Sequence, residues 1–258
     1  MTAPTFSQQD HQLPHGVLRV RSGGDGRPVV HLHSAAGPRI TPVIAQLSRA
    51  HRVHCPIAPG FDGQPALADV ATIDAVADFV AAFIRTACEG RCDVIGESFG
   101  GWIALWLAVK HPDLIGQLVL EAPAGLRATG EGGLPDDAAE RLKRLYAQPG
   151  NAPPETRPEA VLMANRRATL GYTKGVAFDA ALADRLTAIR ARTLILMGTQ
   201  DGIIPASTGH LLKSRIALSH LIYMHGAAHA IEIDQPQRTA ALIGDFLDRG
   251  ESFLVRER

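Results

Sequence analysis

The stretch Asp93-Val94-Ile95-Gly96-Glu97-Ser98-Phe99-Gly100-Gly101-Trp102 decides how the rest of the chain is read. Asp93 to Ile95 has the apolar character of a buried strand, and Phe99 to Lys110 reads as a mostly apolar helix. Between them stands G-x-S-x-G, Gly96 to Gly100. A bare G-x-x-x-G also occurs as a helix-packing pattern. With a strand before it and a helix after it, the pattern predicts a sharp turn that holds Ser98 at the carboxyl end of a sheet. The turn is so tight that the residues two before and two after the serine must lack a side chain.

Outward from this turn, short apolar runs alternate with helical patterns. Strands are predicted at Pro28–His33, Arg52–Ile57, Asp93–Gly96, Leu118–Glu121, Thr193–Met197 and His220–Met224. Most are apolar without alternation, which suits strands buried on both faces of a parallel sheet. Val17 to Arg21 partly alternates before Gly23-Gly24-Asp25-Gly26 and reads as an antiparallel edge strand entering a turn. Ile73, Val76, Phe79, Val80, Phe83 and Ile84 repeat at helical spacing behind Thr72 as N-cap, with Gly90 as the stop. Residues 237 to 248 form an amphipathic final helix. This alternation implies an open, doubly wound α/β sheet.

From about Ala124 to Ala188 the strand rhythm stops. Gly- and Pro-rich turns separate two charged helical pieces, Asp136–Gln148 and Pro158–Leu170. Leu142, Leu145, Tyr146, Leu162, Met163 and Leu170 give these pieces apolar faces to pack. The expected organisation is a core made of residues 1–123 and 189–258, with a helical cap inserted at 124–188.

Composition excludes several classes. Among 258 residues, 26 basic side chains balance 26 acidic ones, which argues against a nucleic-acid binder. The longest apolar run, Trp102 to Val109, is far short of the roughly 20 residues a membrane helix needs. Met1 to Asp10 shows no secretory signal, and Cys55, Cys88 and Cys92 are too few for a disulfide framework. A cytoplasmic protein acting on a small molecule is the expectation, with no membrane or nucleic-acid partner.

A serine hydroxyl is a weak nucleophile until a base takes its proton. Two further strand ends offer the parts. Gly198-Thr199-Gln200-Asp201-Gly202-Ile203-Ile204-Pro205 follows the strand Thr193–Met197 and puts Asp201 on the rim. Gly226-Ala227-Ala228-His229 follows the strand His220–Met224. Three strand ends thus present Ser98, Asp201 and His229, in that order.

On these motifs, the chain resembles the α/β-hydrolase superfamily over about residues 15 to 250. The resemblance implies the α/β-hydrolase fold and a triad of Ser98, His229 and Asp201. It also implies an oxyanion-hole turn after the third strand, usually H-G-x-x-G. Here that turn reads His33-Ser34-Ala35-Ala36-Gly37, with Ser34 in place of glycine. By position the amides of Phe99 and Ala35 would hold the oxyanion, with Ser34 as the alternative to Ala35. Ala58-Pro59-Gly60-Phe61-Asp62-Gly63 resembles the family's loop after the fourth strand but carries an extra residue, Asp62. No cofactor is required. Serine at position 98 argues against dehalogenase and epoxide-hydrolase branches, which use aspartate there.

Other residues compete for these roles. Glu121, ending the strand Leu118–Glu121, is a rival acid; Asp201 is preferred because its whole motif fits. Glu97 is expected to point into the fold or pair locally. His31 and His33 share a strand face, yet no acidic partner follows them in sequence, and His225-x-x-x-His229 lies where no helix is expected. No metal site is therefore expected, and His33 is expected to shape the oxyanion turn. His210 and His220 read as surface or packing residues. Trp102, Tyr146, Met163, Tyr172 and Phe178 could line a pocket under the cap, though an aromatic content of 5% does not suggest a large aromatic site.

The function expected is a serine hydrolase cleaving a small ester or related acyl compound through an acyl-enzyme. A carbon–carbon bond hydrolase or an acyltransferase would use the same three residues. A receptor-like member that binds without turnover is the alternative of another class.

Overall fold

The computed structural model describes residues 5–254 apart from positions 129 and 136. Among them, eight strands form one sheet in the order β1-β2-β4-β3-β5-β6-β7-β8. These are β1 (Phe6–Leu13), β2 (Gly16–Gly23), β3 (Arg27–Leu32), β4 (His51–Pro56), β5 (Cys92–Glu97), β6 (Ile115–Glu121), β7 (Arg192–Gly198) and β8 (Ser219–Met224). From β4 onward every neighbour is parallel, while β1 and β2 are antiparallel at one edge. The central strands are buried nearly throughout, as their unbroken apolar runs require.

The helices of the core are α1 (Pro42–Leu47), α2 (Ile73–Ala87) and α3 (Phe99–Lys110), followed after β7 by α7 (Ala206–Arg215), α8 (Ile231–Asp234) and α9 (Pro236–Arg249). Thr72 caps α2, its Oγ1 accepting from the Ala75 amide at 3.3 Å. α2 packs against α3, and α1 against α9. No helix among the described residues is long and apolar enough to cross a membrane.

Between β6 and β7 the chain leaves the sheet and forms α4 (Ala138–Leu145), α5 (Glu159–Thr173) and α6 (Ala180–Ala183). Position 136, where the sequence reading starts its first cap helix, lies outside the described residues. Leu126 and Phe178 form an isolated bridge that closes the base of this segment. Asp179 secures it to the core: its Oδ2 accepts from the indoles of Trp102 at 3.0 Å and Trp106 at 2.8 Å, and its Oδ1 caps α6.

Two elements escape the sequence pattern. β1 is a run of mostly exposed polar residues, so no apolar periodicity marks it; its pairing with β2 alone makes it a strand. α1 is only six residues long, too short for a helical period to register.

Candidate active site

The turn between β5 and α3 puts Ser98 at φ 51°, ψ −108°, a backbone region that a non-glycine residue rarely occupies. The surrounding chain holds it there. The Ser98 amide donates to the Glu121 carbonyl at 2.8 Å, and the Ser98 carbonyl accepts from Trp102 at 3.1 Å and Ala124 at 2.9 Å. The two flanking glycines are sterically required. A Cβ on Gly96 would lie 2.6 Å from the Gly100 carbonyl oxygen, and one on Gly100 would lie 2.8 Å from the His33 carbonyl oxygen.

Asp201 lies in the loop after β7. Its Oδ1 accepts from the amides of Ile203 at 2.8 Å and Ile204 at 2.9 Å, which leaves Oδ2 aimed at His229 Nδ1, 2.9 Å away. On the other side of the ring, His229 Nε2 stands 2.9 Å from Ser98 Oγ. With Nδ1 protonated toward the carboxylate, Nε2 is left to accept the serine hydroxyl proton. The loop that carries His229 is anchored on both sides: the Ala228 amide donates to Asp234 and the Ala230 amide to the Leu145 carbonyl.

Ser98 and His229 are only 8% and 6% exposed. Burial by itself pushes the His229 imidazole toward its neutral form. The charge and hydrogen bond of Asp201, with Glu97 nearby, outweigh burial and hold its pKa above the ordinary value. A base so placed, within reach of a hydroxyl and oriented by a carboxylate, can take the hydroxyl proton as the oxygen attacks an electrophilic carbon.

Residues 29–242 match the model of the alpha/beta hydrolase family. The chain belongs to the alpha/beta hydrolase family. Among proteins similar to this alpha/beta hydrolase is the 2-hydroxymuconate semialdehyde hydrolase of Pseudomonas sp. strain CF600, 30% identical over 92% of each chain. The pimeloyl-[acyl-carrier protein] methyl ester esterase of Neisseria meningitidis serogroup C is 31% identical over 74% of this chain and 80% of its own. A serine hydrolase from the polyaromatic hydrocarbon-degrading bacterium Cycloclasticus zankles shares the fold, with a TM-score of 0.78, 17% identity, and coverage of 98% of this chain and 100% of its own.

In this alpha/beta hydrolase the turn after β3 lies beside Ser98. The Phe99 amide is at the first position of α3, where no helical carbonyl reaches it. The Ala35 amide takes part in none of the turn and loop bonds among the described residues. Ser34 lies close enough to Glu97 to offset part of the burial that raises its pKa. His33 spans the turn: its Nε2 accepts from the Ala58 amide at 3.2 Å, so its Nδ1 donates to the Ser34 carbonyl at 2.8 Å. Burial lowers the His33 pKa to about 4, so the ring is neutral. The extra residue Asp62 sits at φ 51° and pairs with Arg21 at 2.5 Å.

The pocket candidates separate. Tyr146 ends α4 and is half-buried beside the anchored His229 loop. Trp102 is buried at the junction of core and insertion, its indole held by Asp179. Met163 is a correction: it is 43% exposed and stands on the side of α5 opposite Asn165 and Tyr172, so it does not line a buried pocket. Phe178 is also exposed, whereas Tyr172 packs with Phe61 and Phe99 and donates to the Pro59 carbonyl. His210 contacts Tyr223 and His220 packs on Phe253.

His31 finds in the fold what its sequence neighbourhood lacks. The acidic partners absent from its sequence neighbourhood arrive from β6 and α8. Among the described residues, His31, Glu121 and Glu232 bring ligand-type atoms within 4.8 Å of one another. Glu232 already bonds His31 through Oε1 at 3.0 Å and accepts the Thr41 hydroxyl on Oε2, so it is read as an internal charge pair. Glu121, the rival acid, is fully buried and faces Glu232, not the His229 ring nitrogen that Asp201 engages. Sequence reading passed over Glu232, Thr41 and Asn165. The one available signal was a glutamate between Ile231 and Ile233, three residues after the candidate base.

Proposed function

We propose that this protein is a serine hydrolase that cleaves a small ester or related acyl compound. The observation that carries the reading is the continuous array from Ser98 Oγ through His229 to Asp201, each link 2.9 Å. His229 takes the proton from Ser98 as its oxygen attacks the carbonyl carbon. Asp201 keeps the imidazole in the required tautomer and stabilises the imidazolium. The amides of Phe99 and Ala35 receive the developing oxyanion, a single such donor being worth about 3–4 kcal/mol where measured. His229 returns the proton to the leaving group, then activates water against the acyl-enzyme. The insertion 124–188 acts as the cap that shapes the substrate pocket.

A second reading is hydrolysis of a carbon–carbon bond beside a carbonyl, with the same three residues. It is favoured by the 2-hydroxymuconate semialdehyde hydrolase, which this chain matches over nearly its full length.

The test is a fluorophosphonate probe and a panel of p-nitrophenyl esters, run beside Ser98→Ala, with 2-hydroxymuconate semialdehyde as a further substrate. Labelling and turnover that vanish in the variant are expected. No labelling and no Ser98-dependent turnover of any substrate would sink the hydrolase reading and favour a binding protein. Labelling with turnover of the semialdehyde alone would select the second reading.

A further inference from the structure

The turn proposed to hold the oxyanion runs from the end of β3 to the start of α1. Its two feet are His31, on β3, and Thr41, the N-cap of α1. Both feet meet one carboxylate. Glu232 Oε1 accepts from His31 Nε2 at 3.0 Å, and Oε2 accepts from the Thr41 hydroxyl. Glu232 belongs to α8, which begins two residues after His229. All three side chains are buried, at 2%, 8% and 2% exposure for His31, Thr41 and Glu232.

We propose that Glu232 is a positioning residue: its carboxylate fastens the His229 loop to both feet of the oxyanion turn and so fixes base and oxyanion donors relative to each other. This rests on the hydrolase reading above.

The physical argument has three parts. First, the two loops come from distant parts of the chain, and no strand pairing joins them, because β3 and β8 are not neighbours in the sheet. Second, a buried carboxylate requires polar partners, and the bidentate arrangement lets it sit in one place only. Removing it leaves His31 and Thr41 buried without their acceptor. Third, the charge is balanced locally. Burial disfavours a charged His31, but the charge and hydrogen bond of Glu232 outweigh burial and hold the His31 pKa above its ordinary value; His31 and Thr41 in turn hold the Glu232 carboxyl below its ordinary range. Burial and repulsion from Glu232 push the carboxyl groups of Glu121 and Glu97 above their ordinary range. Catalytic geometry is steep, since a misplacement of about 1 Å costs on the order of 100-fold in rate.

The test uses Glu232→Ala, Glu232→Gln and the double variant His31→Leu/Glu232→Leu, which fills the site with apolar groups and can remain folded. For each, kcat and KM on a p-nitrophenyl ester, the rate of fluorophosphonate labelling, the melting temperature and the low-field proton resonance of the His229–Asp201 bond are measured. Expected is a 10- to 100-fold fall in kcat for Glu232→Ala and for the double variant, with KM little changed. Labelling slows in parallel, and the low-field resonance is shifted or lost. Glu232→Gln, which keeps an acceptor for only one of the two feet, recovers part of the rate. A folded double variant with wild-type kcat and an unmoved resonance would overturn the proposal, as would a loss confined to KM or to melting temperature. If the wild type itself shows no Ser98-dependent turnover, the hydrolase reading fails instead. The resonance then still decides whether Glu232 positions His229.

Discussion

Asn165, on the inserted helix α5, donates its side-chain amide to the carbonyl of Ala36 at 3.3 Å. Its Oδ1 accepts from the Asp62 amide at 2.8 Å, and the side chain is almost wholly buried. Arg157 adds a second donor to the Ala36 carbonyl at 2.6 Å. The insertion thus touches the turn next to Ala35 directly, and anything that moves α5 moves that turn. Asn165→Ala is expected to lower kcat/KM about 10-fold by loosening the turn. Steady-state kinetics on a p-nitrophenyl ester checks this; a wild-type value would mean that Arg157 suffices.

The carboxylate assignment can be separated by substitution. Asp201→Asn keeps the shape but favours the wrong imidazole tautomer, and a loss of roughly 10⁴-fold in kcat is expected from such a change. The kcat of Asp201→Asn beside that of Glu121→Gln decides the matter. An active Asp201→Asn with a dead Glu121→Gln would transfer the role to Glu121.

His229 serves as a base only when neutral, so turnover fades as pH falls through its pKa. Asp201 and Glu97 lift that pKa above the ordinary 6.5 against the opposing effect of burial. The acidic limb of the kcat/KM profile is therefore expected above 6.5. Glu97→Gln removes a nearby negative charge and is expected to move the limb down. A limb at or below the ordinary value in the wild type would contradict this account.

Glu121 bears on stability. Burial, then Glu232 and Glu97, raise its pKa well above the ordinary 4.5. The folded chain keeps a proton that the unfolded chain has released, so folding stability from this group declines as pH rises above 4.5 and through the raised pKa. Glu121→Gln is neutral at every pH and is expected to melt higher than wild type near about pH 8, with the two curves converging toward pH 4.5. Each ~1 kcal/mol appears as roughly 2–4 °C in Tm for a domain of this size. Parallel Tm curves across that range would refute the prediction.

Gly100→Ala tests the turn itself. The added methyl runs into the Leu32 carbonyl, with the His33 carbonyl oxygen also at 2.8 Å, and both neighbours are backbone that cannot swing aside. Loss of labelling at Ser98, with a lowered melting temperature, is expected; normal labelling would show that the strand ends can part.

Much of this was legible in the residues. The turn Gly96–Gly100 lies where the pattern put it, and β3 to β8 fall within a few residues of their apolar runs. Those features are local: a strand buried on both faces must be apolar, and a turn this tight must carry glycine. β1 was not legible, because an exposed edge strand is defined by its partner and not by its own periodicity.

The sequence by itself determined the strands β3 to β8 and the order in which Ser98, Asp201 and His229 follow their strands. Only the tertiary structure decided which acid meets the imidazole, which aromatic side chains face inward, and that Glu232 joins His31 to Thr41. The physical reason is one of range. Periodicity reports which face of an element is buried, whereas hydrogen bonds across some 200 positions of chain, such as His31 to Glu232, depend on which elements the fold sets side by side.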